Sequence, residues 1–311
     1  MLRWLTGILL LLLCRTLPAQ ITYEQVRVDY DSVWTFKKLT IIPVRAIGEG
    51  NGGLGDFITL KQGLQSGLIT VNERGSASTE NVHWVRIINH SKLPVYVGAG
   101  ELLTGGRQDR MLTRDTLLMP TGRDQYVPAM CVEENRWSER ERKFFYGGYA
   151  NLKLRKVLDV TGNQLLIWKE IYAQLDSSNI NSSTLAYGAR KLDKKHMAEV
   201  TEYLRFFEEK LKQDSTLVGF VGISGERILG TDIYLSSVLF NEQAPELLAG
   251  YIEEAIAFGS TPDVKTDRIV RYMDRYLMDE RTQEENCRKN GMIHKIGGKV
   301  IHITGYGVDN S

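Results

Sequence analysis

Residues 98–137 concentrate the chemistry-bearing side chains of this 311-residue chain. The segment runs Gly98-Ala99-Gly100-Glu101-Leu102-Leu103-Thr104-Gly105-Gly106-Arg107-Gln108-Asp109-Arg110 and continues to Cys131-Val132-Glu133-Glu134-Asn135-Arg136-Trp137. It holds five arginines (Arg107, Arg110, Arg114, Arg123, Arg136) and no lysine. A guanidinium fork grips a carboxylate or a phosphate through two parallel hydrogen bonds, which a lysine cannot do. Two arrangements fit this composition. In one the arginines pair internally with Glu101, Asp109, Asp115, Glu133 and Glu134; in the other they line a pocket for an anion. In the pocket arrangement Arg107, Arg110 and Arg136 bind the ligand, Gln108 orients it and Trp137 forms a stacking wall. Glu101 and Glu133 are the candidate general acid and base, and Cys131 is a candidate nucleophile if a base or a positive field adjoins it.

Other motifs carry less. Gly48-Glu49-Gly50-Asn51-Gly52-Gly53 has the spacing of a dinucleotide loop, with Glu73 about 20 residues on. The following residues do not read as the helix such a loop must open. Gly222-Ile223-Ser224-Gly225-Glu226 lacks the last glycine of a serine nucleophile elbow. No HExxH, paired CxxC or His-x-His occurs, so neither a metal nor any other cofactor is expected. The five histidines are His83, His90, His196, His294 and His302. With Gly297-Gly298 as a two-residue turn, His294 falls opposite Ile301 and His302 opposite Ile293. That register sends the two rings to opposite faces.

The runs Gly100-Glu101-Leu102, Gly105-Gly106-Arg107-Gln108-Asp109-Arg110, Val127-Pro128 and Cys131-Val132-Glu133 with Arg136-Trp137 resemble the ARG and rhodanese-phosphatase-superfamily-associated protein family. Here ARG stands for ADP-ribosylglycohydrolase. Residues 60–73, 219–225, 230–233 and 247–251 are similar to the same family, so the resemblance spans nearly the whole chain after residue 39. The family pattern has asparagine where Asp109 stands. The resemblance implies one compact domain and supplies no reaction. Its name associates the family with ADP-ribose and phosphoryl chemistry.

These residues need elements to hold them. Residues 39–44, 68–71, 82–88, 94–97, 116–119 and 125–132 read as short strands rich in β-branched side chains, and 59–65 as a short helix. Beyond residue 150 the pattern turns helical, at 163–175, 192–212, 244–258 and 263–280. In 192–212, Met197, Val200, Leu204, Phe207 and Leu211 share one face. Residues 216–234 and 292–304 read as hairpins, and 149–159 as a change of texture. The expected class is α+β: a sandwich-like antiparallel β-rich part at about 36–150, packed with a helix-rich part at 151–311 that ends in a β-hairpin. Residues 21–311 are expected to form one domain.

Residues 1–20 combine Arg3, a short apolar run and Pro18-Ala19-Gln20, which reads as a cleavable signal peptide. The expected location is periplasmic or secreted, with no membrane span in the mature chain. Without Arg3 and Arg15 the balance falls from 39 basic against 38 acidic residues to 37 against 38. So balanced a chain lacks the basic excess of a general nucleic-acid binder. Cys131 and Cys287 then remain, as one disulfide or as two buried thiols. The functional expectation is an exported binding module with an Arg-rich polar pocket for an anionic small molecule. The alternative is a hydrolase acting on a phosphorylated or ADP-ribose-like substrate.

Overall fold

The computed structural model describes residues 20–48, 54–75, 82–138, 143–192 and 194–307. The leader and most of the glycine-rich loop after residue 48 lie outside the described residues. Among the described residues the chain opens with strands β1 (Val26–Val28), β2 (Trp34–Phe36), β3 (Leu39–Ala46) and β4 (Ile58–Thr59), then helix α1 (Leu60–Gln65). Eight strands follow: β5 (Ile69–Glu73), β6 (Trp84–Asn89), β7 (Val95–Val97), β8 (Glu101–Thr104), β9 (Arg110–Leu112), β10 (Thr116–Leu118), β11 (Asp124–Cys131) and β12 (Phe145–Tyr149). Helices α2 (Leu152–Thr161) and α3 (Gln164–Ser177), a 3-10 turn at Tyr187–Leu192 and helix α4 (Lys194–Lys212) come next. The hairpin β13 (Leu217–Ser224) and β14 (Arg227–Tyr234) leads to α5 (Ser237–Phe258), α6 (Thr266–Leu277) and α7 (Glu280–Asn290). The hairpin β15 (Gly291–Ile296) and β16 (Lys299–Tyr306) closes the fold. The class is α+β, as expected.

The largest sheet draws on both ends of the chain. Its order is β1-β3-β13-β14-β16-β15, with β2 also paired to β3. Helices cover both of its faces. Phe220, Tyr234 and Ile301 pack with Phe207 of α4 and Leu248 and Tyr251 of α5. On the other face Val44, Val221 and Ile303 pack with Met273 and Tyr276 of α6. This is why β13 is apolar at nearly every position and wholly buried. A second sheet, β12-β8-β9-β11-β6-β5, and a small one, β10-β7-β4, carry the chemistry-rich segment.

Local chemistry explains several boundaries. Thr59 caps α1 with its side chain on the Gln62 amide, while the Gln62 side chain returns to the Thr59 amide. Asn163 accepts from the Leu165 and Leu166 amides and starts α3. One reading is given its structure and two are corrected. The change of texture at 149–159 is the end of β12 and helix α2, whose Leu-Lys-Leu-Arg-Lys start mimics strand alternation because buried Arg155 sits on its inner side. The helix expected over 263–280 ends at Leu277, and a separate α7 follows with only Gln283 and Cys287 buried. Helix α5 begins at Ser237, capped by Ser236, and carries Pro245 inside rather than at its start.

The last hairpin departs from the expected register. A β-bulge follows His294, so His294 pairs with His302 instead of Ile301. One extra residue on β16 reverses the facing of every position beyond it. The two histidines therefore share a face, their rings stacked at 4.7 Å.

Candidate functional site

The glycine turn between β8 and β9 folds the arginines back on acids. Glu73, at the end of β5, has a fully buried side chain and accepts the Arg107 amide at 2.7 Å. Its other oxygen takes Arg110 Nη2 at 3.1 Å. Arg110 is itself fully buried and also donates to Gln108 Oε1 at 3.3 Å and Cys131 Sγ at 3.2 Å. Gly106 has φ +53°, and a Cβ there would meet Glu73 Oε1 at 2.6 Å and the Phe144 ring at 2.1 Å. Only glycine lets the turn approach this close.

Arg136 serves a second knot. It donates to Glu133 at 2.6 Å, to Asp109 at 2.8 Å and to the carbonyls of Gly105 and Gly106. Burial opposes ionisation of Glu133, but hydrogen bonds from Arg136 and Thr184 outweigh it and hold the carboxyl below its ordinary value. Asp109 goes the other way, raised by burial. Asp109 accepts the Gly105 amide at 2.8 Å, a bond that an asparagine oxygen could also accept. Gln108 spends its amide on the carbonyls of Glu133 and Glu134. Arg107 donates to the Ser138 carbonyl and lies 6.0 Å from the ring of Trp137, which is exposed. Cys131 is buried, its backbone clasped by Gln164 through two bonds of 2.8 Å. Cys287 is buried elsewhere, and the two cysteines form no disulfide. Arg107, Gln108, Arg110, Cys131, Glu133 and Arg136 are thus brought together, largely around one another.

Glu101 sits apart from them. Its carboxyl is wholly buried at the start of β8, accepting the Gly98 amide at 2.7 Å and a hydrogen bond from Tyr146. Burial pushes it up to about 8.

Near it lies a centre that spacing alone did not reveal. Strand alternation places Asp232 and Tyr234 of β14 and His302 and Thr304 of β16 on one face, and the bulge adds His294 of β15. Arg155 of α2 grips Asp232 with both Nη atoms, at 2.6 and 3.1 Å. Asp232 also accepts Tyr251 at 2.8 Å and Thr304 at 3.0 Å. His302 bridges two carboxylates, Nε2 to Asp232 at 3.0 Å and Nδ1 to Asp115 at 3.2 Å. Asp115 further accepts Tyr96 at 2.5 Å and the Ala99 amide at 2.8 Å. Burial disfavours the charged form of both aspartates, yet the histidines at Asp115 and Arg155 at Asp232 hold them well below the ordinary range. Asp115 and Asp232 likewise outweigh burial at His302 and raise it, whereas burial wins at His294 and lowers it. The available signal was polar residues in strands buried on both faces, as in the Ile-His-Ile-Thr alternation of β16.

An open cleft of about 370 Å³ adjoins the segment, within the usual range for ligand pockets. Asp109, Tyr146, Gly147, Gly148, Lys191 and Glu246 are among its walls. Strand β12 bulges here, and Gly148 has φ +90°. A Cβ on Gly148 would meet Lys191 Nζ at 2.9 Å and Glu246 Oε2 at 3.2 Å. The acids of the wall are matched, Glu246 by Lys61 at 2.7 Å and Asp109 by Arg136 at 2.8 Å. Lys191 donates to the Gly147 carbonyl and takes part in no ion pair among the described residues.

No helix among the described residues is long and apolar enough to cross a membrane. No curated protein and no solved structure matches the chain. A sequence family described as the ARG and rhodanese-phosphatase-superfamily-associated protein domain matches residues 27–306. That match takes in strands of all three sheets, the arginine knots and the buried histidine centre, and the chain belongs to this family.

Proposed function

We propose that the protein is an exported binding module that holds a small anionic ligand in the cleft between β8, β12 and the 3-10 turn. The observation that carries this reading is the charge balance of the cleft. Its acids are each matched by a cation, and among the described residues the ammonium of Lys191 is held only by a backbone carbonyl at a glycine bulge. An anion entering there gains a charge-assisted hydrogen bond without displacing a carboxylate. The glycines leave room for close backbone approach. The arginines of the neighbouring segment fix the cleft wall through Asp109 rather than meeting the ligand. The cationic start and short apolar run of residues 1–20 support export. The family's association with ADP-ribose and phosphoryl chemistry makes ADP-ribose and inorganic phosphate the first probes. Amide NMR of the protein titrated with each should shift Gly147 and Gly148, and shifts confined to other surfaces would oppose the reading.

One observation favours hydrolysis as a second reading. Glu101 stays protonated near neutral pH and is hydrogen-bonded to Tyr146, whose side chain lines the cleft. A neutral acid that passes its proton to the phenol oxygen, as the phenol turns and passes its own to the leaving group, is a proton source. Turnover of ADP-ribose derivatives or phosphodiesters that is lost in Glu101→Gln supports this reading, and absence of turnover opposes it.

A further inference from the structure

The buried centre contains more polar atoms than its own hydrogen bonds employ. Glu101 Oε1 is buried without a partner among the described residues, and there the buried hydroxyls of Tyr149 and Tyr234 have only each other. All three groups lie close enough to feel the charge of Asp115. A dry polar atom left short of partners is costly, so these groups beside the Asp115 carboxylate mark a place where something else satisfies them. Gly98 reinforces this, because a Cβ there would fall 1.9 Å from the Tyr149 hydroxyl.

The side chains at that place are ligands by type and position. Asp115, His294 and His302 are buried, and each offers one donor atom within 4.8 Å of the others. The two imidazoles direct Nδ1 at opposite oxygens of Asp115, at 3.4 Å for His294 and 3.2 Å for His302. Bonds of about 2.0–2.1 Å to a tetrahedral ion put neighbouring ligand atoms about 3.3–3.4 Å apart. The other nitrogen of His302 faces Asp232, which Arg155 clamps from behind. A carboxylate on the far nitrogen is the usual support of a metal-bound histidine, fixing its tautomer and its ring.

We infer that Asp115, His294 and His302 form a binding site for one divalent transition-metal ion, with Asp232 and Arg155 as positioning residues. Two imidazoles and one carboxylate suit Zn²⁺ or Fe²⁺, while Mg²⁺ and Ca²⁺ favour all-oxygen sets. Closing the set onto an ion turns the His294 ring out of its stack on His302. That ring is on β15, at the edge of its sheet, where such movement disturbs least. This site is separate from the cleft and does not depend on what the cleft binds.

The test uses the whole protein, stripped of metal by chelation and titrated with Zn²⁺ and with Co²⁺. One equivalent should bind, Co²⁺ should develop visible ligand-field absorption, and Zn²⁺ should move the imidazole nitrogen NMR signals of both His294 and His302. His294→Gln should abolish the equivalent while keeping a cooperative unfolding transition. His90→Gln, at an exposed histidine, should bind as the parent does. If His294→Gln fails to fold, the nitrogen shifts of the unmodified protein decide alone. Failure of the unmodified protein to take up Zn²⁺ or Co²⁺, uptake that leaves both imidazoles unshifted, or full binding by folded His294→Gln would overturn the inference. The centre would then be a closed ion-pair network.

Discussion

Arg110 and Lys191 are both cations beside glycine-rich backbone, and their surroundings give them opposite roles. Arg110 has no exposed side-chain surface and is matched by Glu73 inside the second sheet. Removing one partner of a buried pair leaves the other charge uncompensated, at about 3–5 kcal/mol. Arg110→Ala should lower unfolding stability by that order in a denaturant titration. A loss under about 1 kcal/mol would mean the pair is not structural. Glu101 offers a test with a definite sign. Its carboxyl ordinarily titrates at 4.5 and is held at about 8 in the fold. Below that interval both folded and unfolded chains carry the proton. Within it the unfolded chain has released a proton that the folded chain keeps, so stability falls as pH rises, on the order of 1 kcal/mol per pH unit. Glu101→Gln lacks this slope. Its melting temperature relative to the parent should therefore climb between pH 5 and pH 8, and a constant difference would contradict the buried neutral acid.

At the scale of elements, sequence pattern succeeded where one periodicity met one buried face. The short helix α1, expected over 59–65, and the stripe on α4, with Val200, Phe207 and Leu211 buried, were legible because polar and apolar positions alternate as the element requires. Pattern failed where buried polar residues replace apolar ones. Arg155 interrupts the inner face of α2, and Gln283 does the same for α7. The bulge after His294 was illegible for another reason: it inserts one residue, with no glycine to announce it, and register depends on every residue counted. The chemistry of 98–137 was visible by type, yet the sequence could not show which acid each arginine meets. Glu73, partner of Arg110, lies 37 residues away. Helix α2 deserves its own check, because it delivers Arg155 to Asp232. Asn151 caps it on the Leu154 amide and also bonds Gln174 at 2.8 Å. Asn151→Ala should cost about 1–2 kcal/mol in a thermal or denaturant unfolding curve. An unchanged curve would show that packing alone holds the helix.

For the whole molecule, the main sheet takes strands from both ends of the chain, so segments distant in sequence meet in the middle. Asp115 from the β-rich part reaches His302 of the last strand, 187 residues on. The cleft is likewise composite, with walls from β8, β12, the 3-10 turn and α5. Such convergence follows from topology, which local spacing does not encode, and it explains why neither the buried centre nor Lys191 stood out in the sequence. The class, most strands and the family were accessible from the residues themselves, whereas the geometry of the sites was not. The proposed anion site centres on Lys191. Isothermal titration calorimetry of ADP-ribose and of inorganic phosphate into the protein and into Lys191→Ala tests it most directly. Saturable one-to-one binding of at least one of them is expected, lost in a Lys191→Ala variant that unfolds like the parent. Equal binding by the variant, or no binding of either probe by the parent, would contradict it.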